Sequence, residues 1–141
     1  MQLKEIMTPN VERIHANVSL QEAAQKMKTL DVGLLPVYDG DRLVGMLSDR
    51  DITVRATAEG RDPTKISVNE VMTPEVVYCF EDQTVEEAAK IMEDKQIRRL
   101  IVLNRDKRLV GIASLGDFAT RGGSKQVAGE ALEKVSQSQV A

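Results

Sequence analysis

One cysteine, Cys79, and one histidine, His15, are all that the 141 residues contain of either type. A single thiol excludes an intramolecular disulfide and any Cys-x-x-Cys site, and a single imidazole excludes a His-paired metal centre within one chain. Aromatic residues are almost as scarce, with no Trp, two Tyr and two Phe. The chain therefore lacks the stacking platform that single-stranded nucleic acid needs. An excess of positive charge is missing too: 19 Lys and Arg face 22 Asp and Glu, a net charge of -3. Such a balance gives no general attraction for a phosphate backbone, so nucleic acid is not an expected partner. No apolar run approaches the roughly 18 residues of a spanning helix, and Met1-Gln2-Leu3-Lys4-Glu5 is not followed by a signal-peptide core. The expectation is a cytoplasmic protein with no membrane partner. What is present, 42% hydrophobic and 29% charged residues, is a globular composition, and a chain of this size buries about 68–70% of its unfolded surface.

The chain repeats itself, which decides the fold before any single element does. Met7-Thr8-Pro9 returns as Met72-Thr73-Pro74, Glu22-Ala23-Ala24 as Glu87-Ala88-Ala89, and Met27 as Met92. Leu43-Val44-Gly45 returns as Leu109-Val110-Gly111, and the spaced set Gly45, Ser48, Asp51 as Gly111, Ser114, Asp117. The offset of 65 residues becomes 66 after a one-residue insertion near 104–107. The units run over residues 3–56 and 68–122, joined by a linker at 57–67 that carries Gly60 and Pro63. Either unit alone is near the lower size limit for independent folding, so a shared core is expected.

Both units read β-α-β-β-α. The proline of Met-Thr-Pro holds the preceding Thr extended, and a short β-compatible stretch follows at 11–16 and at 76–80. Ser19-x-x-Glu22 and Thr84-x-x-Glu87 are capping boxes, opening helices whose apolar stripes are Leu20, Ala23, Ala24, Met27, Leu30 and Val85, Ala88, Ala89, Met92. Two apolar runs across a turn, 34–38 with 43–47 and 100–103 with 109–113, form a hairpin in each unit. Ser48-x-x-Asp51 and Ser114-x-x-Asp117 then open a second helix. Gly122-Gly123 stops the second of these, and residues 123–141 supply a further amphipathic helix with a Val127, Ala128, Ala131, Leu132, Val135 stripe, followed from Ser136 by a fraying tail. That helix has no counterpart in the first unit, so it is expected to pack across the pair or against a second chain, the alternative being a fold back over its own unit.

The doubled Met-Thr-Pro, the doubled Glu-Ala-Ala-x-x-Met and the doubled Leu-Val-Gly-x-x-Ser-x-x-Asp, in this order, make the chain resemble a tandem pair of cystathionine-beta-synthase (CBS) domains almost from end to end. The resemblance implies an α+β fold of two repeats packed through their sheets with pseudo-twofold symmetry. It also implies clefts that bind adenine nucleotides or S-adenosylmethionine, and a regulatory role toward another protein.

The Ser-x-x-Asp spacing has a physical reading of its own. Where a strand hands over to a helix, a hydroxyl, free backbone N–H groups and a carboxylate meet, and a carboxylate that accepts two hydrogen bonds suits a ribose diol. Ser48, Asp51, Ser114 and Asp117 are thus the candidate ribose and phosphate contacts. The same spacing is also a helix cap, and the pattern alone does not choose between the two. Arg50 lies beside Asp51, and Arg98-Arg99 open the hairpin of unit two where unit one has Gly33-Leu34. By resemblance Arg98 and Arg99 are candidate phosphate contacts, Arg50 is a third from its place beside Asp51, and Arg55 and Arg121 read as exposed helix ends. His15 reads as a packed or half-exposed strand position, and Cys79, Met27 and Met92 read as packing positions. No catalytic residue, metal ligand or required cofactor emerges, so the expectation is a non-enzymatic sensor of AMP, ADP, ATP or S-adenosylmethionine, homodimeric, that signals to an unidentified partner. The alternative is a ligand-free dimerisation or scaffold module.

Overall fold

A computed structural model describes residues 1–121 and 125–137. In chain order its elements are β1 (Thr8–Pro9), β2 (Ile14–His15), α1 (Leu20–Leu30), β3 (Leu34–Asp39), β4 (Arg42–Ser48), α2 (Asp49–Asp51), β5 (Tyr78–Phe80), α3 (Val85–Lys95), β6 (Arg99–Leu103), β7 (Leu109–Ser114), α4 (Leu115–Arg121) and α5 (Lys125–Gln137). The fold is α+β with two sheets. The expected stop at Gly122-Gly123 and the end of the tail, residues 138–141, lie outside the described residues. Ser136 and Gln137, expected to fray, are the last residues of α5.

Two compact units divide the chain, Glu12–Val76 (the first) and Met1–Val11 with Val77–Ala141 (the second). In the first, β3 pairs parallel with β2 and antiparallel with β4. Ser19 Oγ accepts the Glu22 N–H at 3.1 Å to start α1, and Asp31, left-handed at φ 55°, ends it. The reciprocal half of that box is not formed here, whereas Thr84 and Glu87 form both halves at the start of α3. Leu20, Ala23 and Met27 bury the α1 stripe against Leu35, Val37 and Leu47 of the hairpin. Strand β3 is buried at every position from Leu34 to Tyr38, as its unbroken apolar run predicts. Helix α2 runs on as a π-helical stretch, Ile52–Thr57.

The second unit repeats this plan with the sheet order β1-β7-β6-β5. Its core gathers Val85, Ala88, Ala89 and Met92 of α3 with Leu100, Val102, Ala113 and Phe118. Helix α5 folds back onto α3 and α4 of its own unit, burying Ala128, Ala131 and Val135, with Lys134 Nζ 3.4 Å from Glu93 Oε2. Of the placements expected for this helix, the fold-back over its own unit is the one found, although Leu132 of its stripe stays exposed. Small buried side chains on both helices, Ala88 and Ala89 of α3 and Ala128 and Ala131 of α5, belong to the same core.

The units and the sequence repeats are out of step at one place. Met7-Thr8-Pro9, which opens the first repeat, lies on β7 of the second unit, where Thr8 and Pro9 oppose Ile112 and Gly111. Met72-Thr73, which opens the second repeat, lies on β4 of the first unit: Met46 N–H donates to Thr73 O at 2.9 Å and Thr73 N–H to Met46 O at 2.8 Å. This contact explains why Met-Thr-Pro and Leu-Val-Gly are duplicated together. A Cβ on Gly45 would stand 2.7 Å from Thr73 O and 2.8 Å from Met72 Sδ, and one on Gly111 would stand 2.7 Å from Thr8 O and 2.6 Å from Met7 Sδ. Only glycine lets the crossing segment approach so closely.

Candidate functional site

Each hairpin ends in its Ser-x-x-Asp, and both form the full reciprocal cap. Ser48 N–H donates to Asp51 Oδ2 at 3.0 Å while Asp51 N–H donates to Ser48 Oγ at 3.1 Å. In the second unit Ser114 N–H donates to Asp117 Oδ2 at 2.9 Å and Asp117 N–H to Ser114 Oγ at 3.1 Å. Capping is therefore a real duty of all four residues. It uses one carboxylate oxygen of each Asp and leaves acceptor capacity over, since an ionised carboxylate offers about four lone-pair sites.

The surroundings of the two carboxylates differ. Thr73 Oγ1 donates to Asp51 at 3.3 Å (Oδ1) and 3.4 Å (Oδ2), and Arg55 Nε lies 3.8 Å from Asp51 Oδ1. Arg55 is held in turn by its Nη1–H bond to Met72 O at 3.2 Å. The Asp51 side chain is 13% exposed. Thr8 and Arg121, the counterparts of Thr73 and Arg55, make no such contact with Asp117 among the described residues. Thr73 and Arg55 were not legible as site residues, the one because Met-Thr-Pro reads as punctuation, the other because i,i+4 proximity to Asp51 is shared by Arg121 and Asp117.

Of the candidate phosphate contacts, Arg98 and Arg99 sit at the Ser114 end of the second sheet. Arg99 opposes Ser114 across β6 and β7, and Arg98 O accepts the Leu115 N–H at 3.1 Å. Both are exposed, and neither side chain is paired among the described residues. Arg50 neighbours Asp51 on α2, exposed, with its N–H on Asp49 Oδ1 at 2.8 Å. The arginines thus divide between the units as two and one.

The remaining singular residues have structural roles. His15 is an exposed β2 residue whose Nδ1 accepts the Asn17 N–H at 3.1 Å and whose Nε2 is 3.7 Å from Asp39. Cys79 is buried, and that burial, with the charge of Glu87 adding to it, pushes the thiol up to about 11. A thiol so raised is protonated at neutral pH and unreactive. The Tyr38 ring is buried beneath the Arg13 guanidinium, 4.5 Å from its centroid; burial raises the phenol and the guanidinium opposes the rise. Among the described residues no group of three or more His, Cys, Asp or Glu is placed to hold a metal ion, and no helix is long and apolar enough to cross a membrane.

Comparison with known proteins bears on the family and the fold. The CBS domain family matches twice, over residues 3–56 and 68–122. A CBS domain-containing protein of Bacillus subtilis, YhcV, is 42% identical over 134 residues, 95% of this chain and 94% of that protein. Among solved structures, Hypoxic Response Protein I, crystallised with two coordinated zinc ions, superposes with a TM-score of 0.74 at 36% identity, covering 84% of this chain and 97% of its own. The CBS domain pair of protein MJ0100, in complex with 5'-methylthioadenosine and S-adenosyl-L-methionine, superposes with a TM-score of 0.77 at 29% identity, covering 89% and 98%. Two matched repeats, two sheets completed by exchanged Met-Thr-Pro segments, and relatives spanned almost from end to end place this chain in the CBS domain family, as a tandem pair.

Proposed function

We propose that the chain is a regulatory module, not an enzyme, that binds an adenosyl ligand (AMP, ADP, ATP or S-adenosylmethionine) at its Ser-x-x-Asp boxes and signals occupancy to a partner protein. The observation that carries this reading is that each cap leaves its carboxylate with unused acceptor sites at the end of a hairpin, near exposed arginines whose side chains are unpaired among the described residues. Asp51 and Asp117 accept the ribose hydroxyls, Ser48 and Ser114 lie toward the phosphate, and Arg50, Arg98 and Arg99 neutralise phosphate charge. The complex of MJ0100 supports the ligand class. Signalling requires the ligand to bind one arrangement of the chain better than another, because equal affinity shifts nothing. Calorimetry with the four ligands tests this, together with 2'-deoxyadenosine monophosphate, which lacks one diol hydroxyl. Binding with a loss for the deoxy compound is expected. No heat with any of them refutes the proposal and leaves a ligand-free dimerisation module whose boxes only cap helices.

Self-association belongs to the same proposal. A groove of about 420 Å³ is lined by Leu115, Gly116 and Ala119 of α4 and by Ala128, Gly129 and Leu132 of α5. Leu132 in its wall stands 48% exposed, and an apolar groove of this kind on one face supports an isologous homodimer. Light scattering that returns 15.6 kDa throughout the micromolar range refutes the dimer.

A further inference from the structure

The two boxes are unequal in a way that follows from acceptor arithmetic, and the inference rests on the ribose reading above. A diol needs two acceptor positions. Asp117 spends one on Ser114 N–H, which leaves about three of its roughly four sites. Asp51 spends one on Ser48 N–H, shares both oxygens with the Thr73 hydroxyl, and has Arg55 Nε on the Oδ1 side. The hydroxyl has a single proton to give and Arg55 Nε, at 3.8 Å, makes an ion pair, so about two sites are left, no more than a diol requires and on oxygens that Thr73 and Arg55 already engage. We infer that Thr73 and Arg55 latch Asp51, so that one adenosyl ligand binds tightly per chain, at Asp117, and a second binds weakly at Asp51 because it competes with the latch.

The arginines point the same way. The open carboxylate shares its sheet end with Arg98 and Arg99, whereas the latched one has Arg50 alone. Unit two therefore offers diol and phosphate contacts together. The latch is local to the first unit: Met72-Thr73 is pinned by its two backbone bonds to Met46, and Arg55 by its bond to Met72 O. Displacement has to break the Thr73 contact without freeing the segment that carries it. Thr8 is backbone-paired in the corresponding place but exposed, with its hydroxyl off Asp117.

Calorimetry with AMP on the full chain separates the possibilities. The wild type is expected to show one tight site per chain, weakened at least tenfold by Asp117→Asn. The Thr73→Val, Arg55→Gln double variant, with its fold checked by circular dichroism, is expected to raise the stoichiometry from one to two, and Asp51→Asn in that background to return it to one. Two equal sites in the wild type, or a double variant that stays at one site, overturns the latch while leaving the ribose reading intact. A wild type that binds no AMP refutes the ribose reading itself and the latch with it.

Discussion

Replacing Gly45 by Ala tests the contact that joins the duplicated motifs. The added Cβ would fall 2.7 Å from the carbonyl oxygen of Thr73 and 2.8 Å from Met72 Sδ, with Met72 Cγ at 3.3 Å. The Met72 side chain can swing away, but the Thr73 carbonyl is backbone and is held by Met46 N–H at 2.9 Å. Overpacking of this kind costs about 1–3 kcal/mol. Loosening the Met46–Thr73 pair of bonds adds about 0.5–1.5 kcal/mol for each one lost. The expected destabilisation is about 2–4 kcal/mol, which for a chain of this length lowers the melting temperature by roughly 3–5 °C per kcal/mol. Urea unfolding followed by circular dichroism measures it. Gly116→Ala is the control, because its Cβ would meet only Ser114 Oγ, at an ordinary 3.5 Å. A Gly45→Ala protein within about 0.5 kcal/mol of wild type, inside the range of an unremarkable surface change, would refute the close-approach reasoning.

Gly129→Ala in α5, where nothing lies within 4 Å of the new Cβ, should stabilise the protein by about 0.5–1 kcal/mol in the same urea assay. Cys79, raised to about 11, should resist thiol reagents in the folded protein at pH 7–8. Because the unfolded thiol loses its proton first, stability should fall as the pH rises from about 8.5 toward the folded value, and a flat profile there would contradict the burial account. Arg98→Ala with Arg99→Ala should weaken AMP more than adenosine, by about tenfold if both touch phosphate; equal losses would argue against phosphate contact.

The sequence period and the caps located the helices and hairpins closely. Helix α1 begins after Ser19 and α3 after Thr84, and β3 with β4 and β6 with β7 occupy the expected apolar runs. These features are local, and local propensity is what a sequence displays directly. The destination of Met-Thr-Pro was not legible, since a two-residue strand carries no register of its own and Thr8 finds its partner 104 positions away at Ile112. The place of α5 stayed open for a related reason: its stripe showed that it must be covered but did not choose between a second chain and its own unit, where α3 and α4 cover it. At the site, the Ser–Asp pairing was readable because it spans three residues. The Thr73–Asp51 contact spans 22 and depends on the crossing that Gly45 permits.

The central claim, that the box carboxylates hold a ribose, is tested most directly by titrating AMP into wild type and into the Asp51→Ala, Asp117→Ala double variant with the fold confirmed. Losing a charge-assisted hydrogen bond of about 1.5–3 kcal/mol predicts an affinity reduced by about 10- to 150-fold or more in the double variant. An unchanged Kd in a folded double variant would contradict the account and reduce Ser48, Asp51, Ser114 and Asp117 to helix caps.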